Sequence, residues 1–548
     1  MFIRTQTSGD RTYLLLVENE RVNGRVVQRV RHRLGRLDQL RASGQLDTLL
    51  KSLGRFSDKL LVLDAHARGE SIPTRTLTVG PGLIVERLWR ECGIADVLAK
   101  LLAGRRFDFA VERAIFLTVL HRVLAPGSDR AAERWRHDYA ITGTDALELH
   151  HLYRAMAWLG DPLPASQQTG ATPFAPRTTK DLVEEALFAR RRDLFSRLDL
   201  VFFDTTSLYF HGAGGDTLGR HGHSRDHRPD LNQMVVGLVL DGDGHPVCTE
   251  LWPGNTTDVT TLVPIVDRLK QTFQVGEVCV VADRGMISAK TLDALEARGW
   301  TYILGVRMRS SNEAQAIAGS DEGHYRTVFP RRRRAKDPAP LRVKQIWRED
   351  RRYVVCFNAD EATKDRHDRE AIVVALEKAL AHGDKSLVGN KGFRRFLKTH
   401  GTRFAIDEEK LATDARYDGK WVLRTNTTLA MEVVALAYKN LWMVEAMFRS
   451  MKSVLETRPI YHKRDETIRG HVFCSFLALV IRQELQRRLD ERGWTLEWAD
   501  IVHDLDHFAE TTITVDDKSY VIRSEIKGTL GKVFQAAGVA IPPAVRTA

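Results

Sequence analysis

Two short runs constrain this chain more than anything else in it. Leu198–Phe203 is apolar apart from Asp199 and leads into Asp204. Val278–Ala282 is wholly apolar and leads into Asp283. Runs this short and this rich in Val, Leu and Phe read as strands buried on both faces. A carboxylate at the end of a buried strand is costly to desolvate unless a cation or hydrogen-bond donors meet it. Two such acids on neighbouring strands repel each other, and a divalent cation relieves the repulsion. Mg²⁺ suits this role because it takes a few carboxylate oxygens and leaves the rest of its shell to water and phosphate. Each aspartate alone has a second reading as a turn former or helix N-cap, Asp283 before Arg284-Gly285 especially.

The surrounding pattern predicts a mixed α/β layer. Gln233–Leu240 and His245–Leu251 are strand-like and flank the turn Asp241-Gly242-Asp243-Gly244, which gives an antiparallel meander. Asp258–Lys270 and Ser288–Arg298 have helical spacing, and Tyr302–Val306 is another apolar strand. Residues 308–425 change texture. Lys344–Trp347, Tyr353–Asn358 and Trp421–Thr425 read as strands and Arg369–Ala381 as a helix, so a β-rich inserted domain is expected there. The run Arg331–Arg334 reads as a solvated loop or a DNA-phosphate contact.

Upstream, Tyr13–Glu18 and Arg25–Val30 flank Asn23-Gly24 as a hairpin, and Leu34 to about Leu159 is mostly helical. Asp161–Arg177 is a Pro-, Ser- and Gly-rich linker. The expected division is 1–160, a hairpin plus a mainly helical DNA-binding region; 161–178, the linker; 179–307, the first part of the α/β core; 308–425, the β-rich insertion; 426–490, the second part of the core; and 491–548, a C-terminal region.

A third acid gives the aspartates a context. Met431–Lys452 has helical spacing, and on one helix Tyr438, Trp442, Glu445, Arg449 and Lys452 share a face. One acid for a metal with cations nearby for phosphates suits phosphoryl transfer. The alternative is an amphipathic helix with a Glu445–Arg449 ion pair.

The segment from Tyr438 to Lys452 resembles the Tyr-x₂-Arg-x₃-Glu-x₆-Lys signature of DDE transposases in the insertion-sequence-four superfamily. Tyr438, Glu445 and Lys452 match its spacing, and Leu441 stands where many members have Arg. Phe203-Asp204-Thr205-Thr206-Ser207, Pro253-Gly254-Asn255-Thr256-Thr257-Asp258, Val281-Ala282-Asp283-Arg284-Gly285-Met286 and Asp418-Gly419-Lys420-Trp421 resemble further blocks of that family. The resemblance covers most of 198–485. It implies an RNase H-like core, a mixed five-stranded sheet flanked by helices, with the β-rich domain inserted before the glutamate helix. It also implies catalysis by Asp204, Asp283 and Glu445 on Mg²⁺ or Mn²⁺, with cleavage at terminal inverted repeats of a transposon. Tyr438, Arg449, Lys452 and Arg284 are expected to contact DNA, Arg449 taking over from the arginine missing at 441.

Charge agrees with a nucleic-acid partner. Against 71 Asp and Glu stand 82 Lys and Arg, a formal net charge of +11, and such a surplus favours polyanions through counterion release. Arg220 and Arg225, in the loop that also holds His211, His221, His223 and His227, are expected to touch DNA; irregular spacing argues against a zinc site there. Trp252 reads as a core residue or as a stacking platform for an unpaired base. Cys92, Cys248, Cys279, Cys356 and Cys474 form no Cys-x-x-Cys pair and are expected to be reduced, in a cytoplasm. No run is long enough to span a membrane.

The expectation is therefore a metal-dependent DNA transposase that cuts transposon ends and joins them to target DNA, cut-and-paste, as a homodimer on double-stranded DNA. The rivals are a catalytically silent, domesticated DNA-binding derivative and a two-metal nuclease that never joins. A glycosidase also uses paired carboxylates, but the basic charge and the cations beside Glu445 do not suit one.

Overall fold

The computed structural model describes residues 1–22, 25–54, 74–169, 171–172, 175–191, 200–273, 278–308, 311–330, 338–382, 395–400, 403–515 and 518–548. The Asn23-Gly24 turn and the Arg331–Arg334 run lie outside them. The chain divides into two units. One holds Met1–Gly80, Ala499–Gly531 and Ala540–Ala548; the other holds Pro81–Trp498 and Lys532–Val539.

In the first unit, β1 (Phe2–Ser8), β2 (Arg11–Val22) and β3 (Arg25–Arg36) form an antiparallel sheet in that order. Leu14, Leu15 and Val17 of β2 are buried, whereas Val26, Val27 and Val30 of β3 are exposed. The strand β4 (Thr74–Thr78) belongs to a second sheet.

The second unit carries the two runs that opened the sequence. They are β5 (Leu200–Tyr209) and β8 (Cys279–Ala282), parallel neighbours in the interior of one sheet. Outward on one side lie β6 (Gln233–Asp241) and β7 (Pro246–Pro253), the expected meander. Outward on the other lies β9 (Thr301–Gly305), parallel to β8. The five form a mixed sheet because β5–β8–β9 need helical crossovers, whereas β5–β6–β7 are joined as hairpins.

The sheet does not stop at β9. β10 (Arg326–Phe329), β11 (Leu341–Arg348), β12 (Arg351–Phe357) and β15 (Lys420–Thr425) continue it to nine strands, in the order β10-β11-β12-β15-β9-β8-β5-β6-β7. The strands expected to form a separate inserted domain therefore extend the core sheet, joined through the antiparallel pairing of Leu423 with Gly305. Among the described residues of this stretch, only β13 (Leu397–His400) and β14 (Arg403–Ile406) stand apart, as a two-stranded sheet. The helix between β12 and β13 begins earlier than its spacing suggested, at Ala359, because the side chain of Asn358 caps it. In the first unit, β16 (Ala509–Val515), β17 (Lys518–Arg523) and β18 (Val545–Thr547) complete the sheet begun by β4.

Alternation along β5 sets the two faces. Val201 and Phe203 point into an apolar core with Val280, Ala282, Leu304 and Trp252. Phe202 and Asp204 take the other face. Helices cover the unit further out. Val111–Leu124 is buried almost throughout and packs with Leu149–Gly160 and Asp465–Asp490. The last two cross where each has a glycine. A Cβ on Gly470 would run into the carbonyl of Met156, and one on Gly160 into that of Glu466. Gly470→Val must push the two backbones apart and is expected to cost about 1–3 kcal/mol, the usual toll of overpacking, read as a lower urea midpoint with an unchanged slope. No helix among the described residues is long and apolar enough to cross a membrane.

Candidate active site

Register brings the two aspartates together. β5 and β8 pair in parallel from Leu200 with Cys279 to Phe203 with Ala282. Asp204 and Asp283 are the next residue on each strand, so they leave the last pair side by side and on the same face. Asp204 does not end its strand, as the apolar run had suggested. β5 continues to Tyr209 because β6 pairs with it along that whole length, Asp204 opposite Leu238. It is β8 that stops.

Neither aspartate is an ordinary cap or turn. Asp283 precedes a short 3₁₀ turn, Arg284–Met286, but its side chain does not cap that turn. Its Oδ1 accepts a hydrogen bond from the phenol of Tyr438 at 2.8 Å. Asp204 is pushed up to about 7, chiefly by burial and further by Asp283 and Asp258. Arg225 and the Thr205 backbone N–H, 2.7 Å from Oδ1, pull in the other direction. Burial and the neighbouring Asp283 raise the Tyr438 phenol well above its usual range.

A third aspartate, unmarked by the sequence reading as a site residue, joins them. Asp258 follows β7 and accepts from the Thr205 hydroxyl at 2.7 Å and from Arg225 Nη2 at 2.7 Å. Arg225 also donates to the Thr205 carbonyl and reaches within 3.8 Å of Asp204. Arg225 thus pairs with these aspartates while its side chain stays 32% exposed. The signal that could have found Asp258 is the Gly254-to-Asp258 block, which carries an acid directly after the third strand of the meander.

The glutamate helix is broken in two. Met431–Lys439 packs over β8, β9, β11 and β12; Trp442–Arg449 packs on β5 and β6; a π turn, Ser450–Val454, follows. Gly305 on β9 makes room for the first, since a Cβ there would collide with the Tyr438 hydroxyl. Leu441 sits at the break and is buried, which explains an apolar residue where a signature arginine is common. Glu445, Trp442 and Arg449 are exposed. The Glu445–Arg449 ion pair of the alternative reading does not form, and no hydrogen bond or ion pair engages the Glu445 side chain among the described residues. Lys452 is turned aside to Asp226, 2.9 Å away.

Other expectations are corrected or placed. Trp252 is only 7% exposed and packs inside the apolar core beneath β6, so it offers no face to a base. Arg220 donates to the carbonyls of Gly219 and Asp216, at 2.7 and 2.8 Å. Arg284 is exposed beside Asp283. His211 stacks on Tyr461. The five cysteines are free; all but Cys92 are buried.

Among the described residues, two groups of three potential ligands lie within 4.8 Å: Asp129, His462 and His471, and Asp241, Asp243 and His245. In the first, Arg122 Nη2 stands 2.7 Å from His471 Nδ1, so a guanidinium already fills the cation's place. In the second, Asp241 pairs with Arg191 at 2.6 Å. Asp204, Asp283 and Glu445 do not form such a group.

Comparison with known families decides what kind of site this is. The model described as Transposase DDE domain matches residues 196–481, just over half the chain. The chain is a DDE transposase. The IS1634 family transposase N-terminal domain matches residues 3–67. A search of curated proteins finds no relative that matches. The transposase is thus a DNA-acting enzyme of a class that works with divalent metal ions, and the matched span contains both aspartates, Asp258, Tyr438 and Glu445.

Proposed function

We propose that Asp204, Asp283 and Glu445 are the catalytic carboxylates of this transposase and hold Mg²⁺, or Mn²⁺ in its place. The observation that carries the reading is the pair of aspartates leaving one parallel register, with Asp204 half-buried and its carboxyl raised to about 7. Such a carboxyl, crowded by two others, is short of positive charge, and this donor set of carboxylate oxygens fits a hard divalent ion. When bound, the ion supplies positive charge against the developing charge of phosphoryl transfer. Asp204 gives up its proton as the site fills. Tyr438 orients Asp283 by donating to Oδ1, and the unpartnered carboxylate of Glu445 completes the set. Arg449, Lys452 and Arg284 bind DNA phosphates.

The hydrogen bond between the signature tyrosine and the second aspartate supports placement in the insertion-sequence-four superfamily. The five strands β9-β8-β5-β6-β7 support an RNase H-like core, and the broken glutamate helix packing on β5 and β6 fits it. Two ends must be held together, so the working species is a homodimer on double-stranded DNA. It cuts at terminal inverted repeats and joins the freed ends to a target.

Pre-cut end DNA and a target plasmid, incubated with the transposase in Mg²⁺, are expected to yield joined product, and Glu445→Gln to yield none. Cutting without any joining would favour the nuclease reading, and binding of ends without cutting would favour a silent derivative. Tyr438→Phe removes only the hydrogen bond to Asp283. It is expected to weaken Mn²⁺ binding or slow cleavage by about 10- to 100-fold, as loss of a ligand's supporting partner does, with the melting temperature little changed.

A further inference from the structure

Arg225 and Asp226 are consecutive in the β5–β6 connection, and their side chains serve different partners. Arg225 goes to Asp258 and Asp204. Asp226 goes to two cations on the other side: its Oδ1 lies 2.9 Å from Lys452 Nζ and 3.3 Å from the Arg458 guanidinium. The segment is built to do this. The Arg225 N–H donates to the Ser207 hydroxyl at 2.9 Å and the Arg228 N–H to the Ser224 hydroxyl at 3.0 Å. The next residue, His227, takes a left-handed φ of 56°, a conformation a non-glycine residue holds only when its surroundings impose it.

The Asp226 side chain is only 7% exposed, and its Oδ2 is buried without a hydrogen-bond partner. Arg458 lies over the Tyr209 ring at 5.4 Å, which holds its guanidinium plane. Without the acid, Lys452 and Arg458 would be two like charges in a half-buried place, and they would separate. With it, they stand together with net charge +1 and most of their N–H donors unused. A fork from arginine and a point charge from lysine, side by side, is the donor set that takes a phosphodiester.

We propose that Asp226 is a positioning residue that holds Lys452 and Arg458 together as one clamp for a backbone phosphate of the transposon end. The proposal rests on the reading of Lys452 as a DNA contact and adds Arg458, which no signature position marks, and the acid that fixes both.

Single-turnover cleavage of end DNA at saturating protein tests it, with the Kd for the same DNA and the melting temperature measured alongside. Asp226→Asn is expected to slow cleavage by about 10- to 100-fold through misplacement of the clamp, with a smaller change in Kd. In the Lys452→Ala/Arg458→Ala background the same substitution should change the rate by less than about 2-fold, since it acts only through those cations. An equal cost in both backgrounds would mean a merely structural role and would overturn the proposal. So would an unchanged rate, or tighter DNA binding with faster cleavage, which would make Asp226 a competitor of the phosphate. Should Asp226→Asn fail to fold, Arg458→Met carries the test: slower cleavage is expected, and an unchanged rate sinks the clamp. If Lys452→Ala alone leaves cleavage intact, the reading of Lys452 fails and the clamp with it. If Lys452→Ala slows cleavage but Asp226→Asn does not, only the clamp fails.

Discussion

Asp204→Asn is expected to abolish cleavage and, in metal-free buffer at pH 8, to make the protein more stable. Both effects have one cause. The folded carboxyl is raised to about 7, chiefly by burial, against about 3.9 in an unfolded chain. Between those values the native state keeps a proton that the unfolded state has released. Stability therefore falls as pH rises through that window, and above pH 7 the loss is complete. Asparagine carries no charge to bury, so the variant escapes this loss. The gain at pH 8 is expected to be about 1–3 kcal/mol, below the full linkage value because the side chain is 17% exposed. It should shrink as pH falls and vanish near pH 4. Adding Mg²⁺ reverses the order, since the ion stabilises only a form that binds it. The cost in cleavage should be about 1,000-fold or more, the scale on which lost electrostatic stabilisation of a transition state is felt. Melting curves in EDTA at pH 5 and pH 8, and again in Mg²⁺, check the sign. A variant less stable than the parent in EDTA at pH 8 would contradict the account.

Lys180→Met is expected to be among the most destabilising single changes. Lys180 is buried in the helix Thr179–Arg191 and donates to Asp181 at 2.9 Å and to the Thr249 carbonyl of β7 at 2.8 Å, with Glu184 at 3.4 Å. Arg268, from the helix Leu262–Gln271, pairs with Asp181, Glu184 and Glu250 at 2.7 Å each. Two cations thus balance three acids beside the outermost strand of the meander, and the Thr249 N–H and hydroxyl close the network on Glu184. Removing the lysine leaves one cation to three acids in a largely buried place. Breaking a buried pair in this way costs about 3–5 kcal/mol, to be read from urea unfolding. Replacing the network as a whole by apolar residues should cost far less, because the penalty belongs to the charge left behind. A loss under about 1 kcal/mol for Lys180→Met would show that water reaches the network.

What the sequence made legible was local. The apolar runs of β5 and β8 could be read because strands buried on both faces need unbroken Val, Phe and Leu. The acids after them could be read because charge there needs a reason. The meander was visible through its Asp-Gly-Asp-Gly turn. What stayed hidden depends on pairing between distant segments. Nothing near Leu423 says that it will lie opposite Gly305, so strands expected in a separate domain proved to continue the core sheet. Helical spacing ran unbroken through Asn440-Leu441, and only the packing of two helices on different strands breaks it there. Arg225 looked like a loop cation because its partners, Asp204 and Asp258, lie on other elements. Trp252 was open to two readings, and the core beneath β6 takes it.

The central claim is that one ion sits between Asp204, Asp283 and Glu445. Fe²⁺ placed in the site, with ascorbate and peroxide, generates hydroxyl radicals that cut the polypeptide next to the bound ion, and mass spectrometry maps the cuts. The account predicts cuts clustered near residues 204, 283 and 445, suppressed together by excess Mg²⁺ and absent in Asp204→Asn. Cuts confined to the neighbourhood of Asp129, His462 and His471, or of Asp241–His245, would place the ion elsewhere and contradict it.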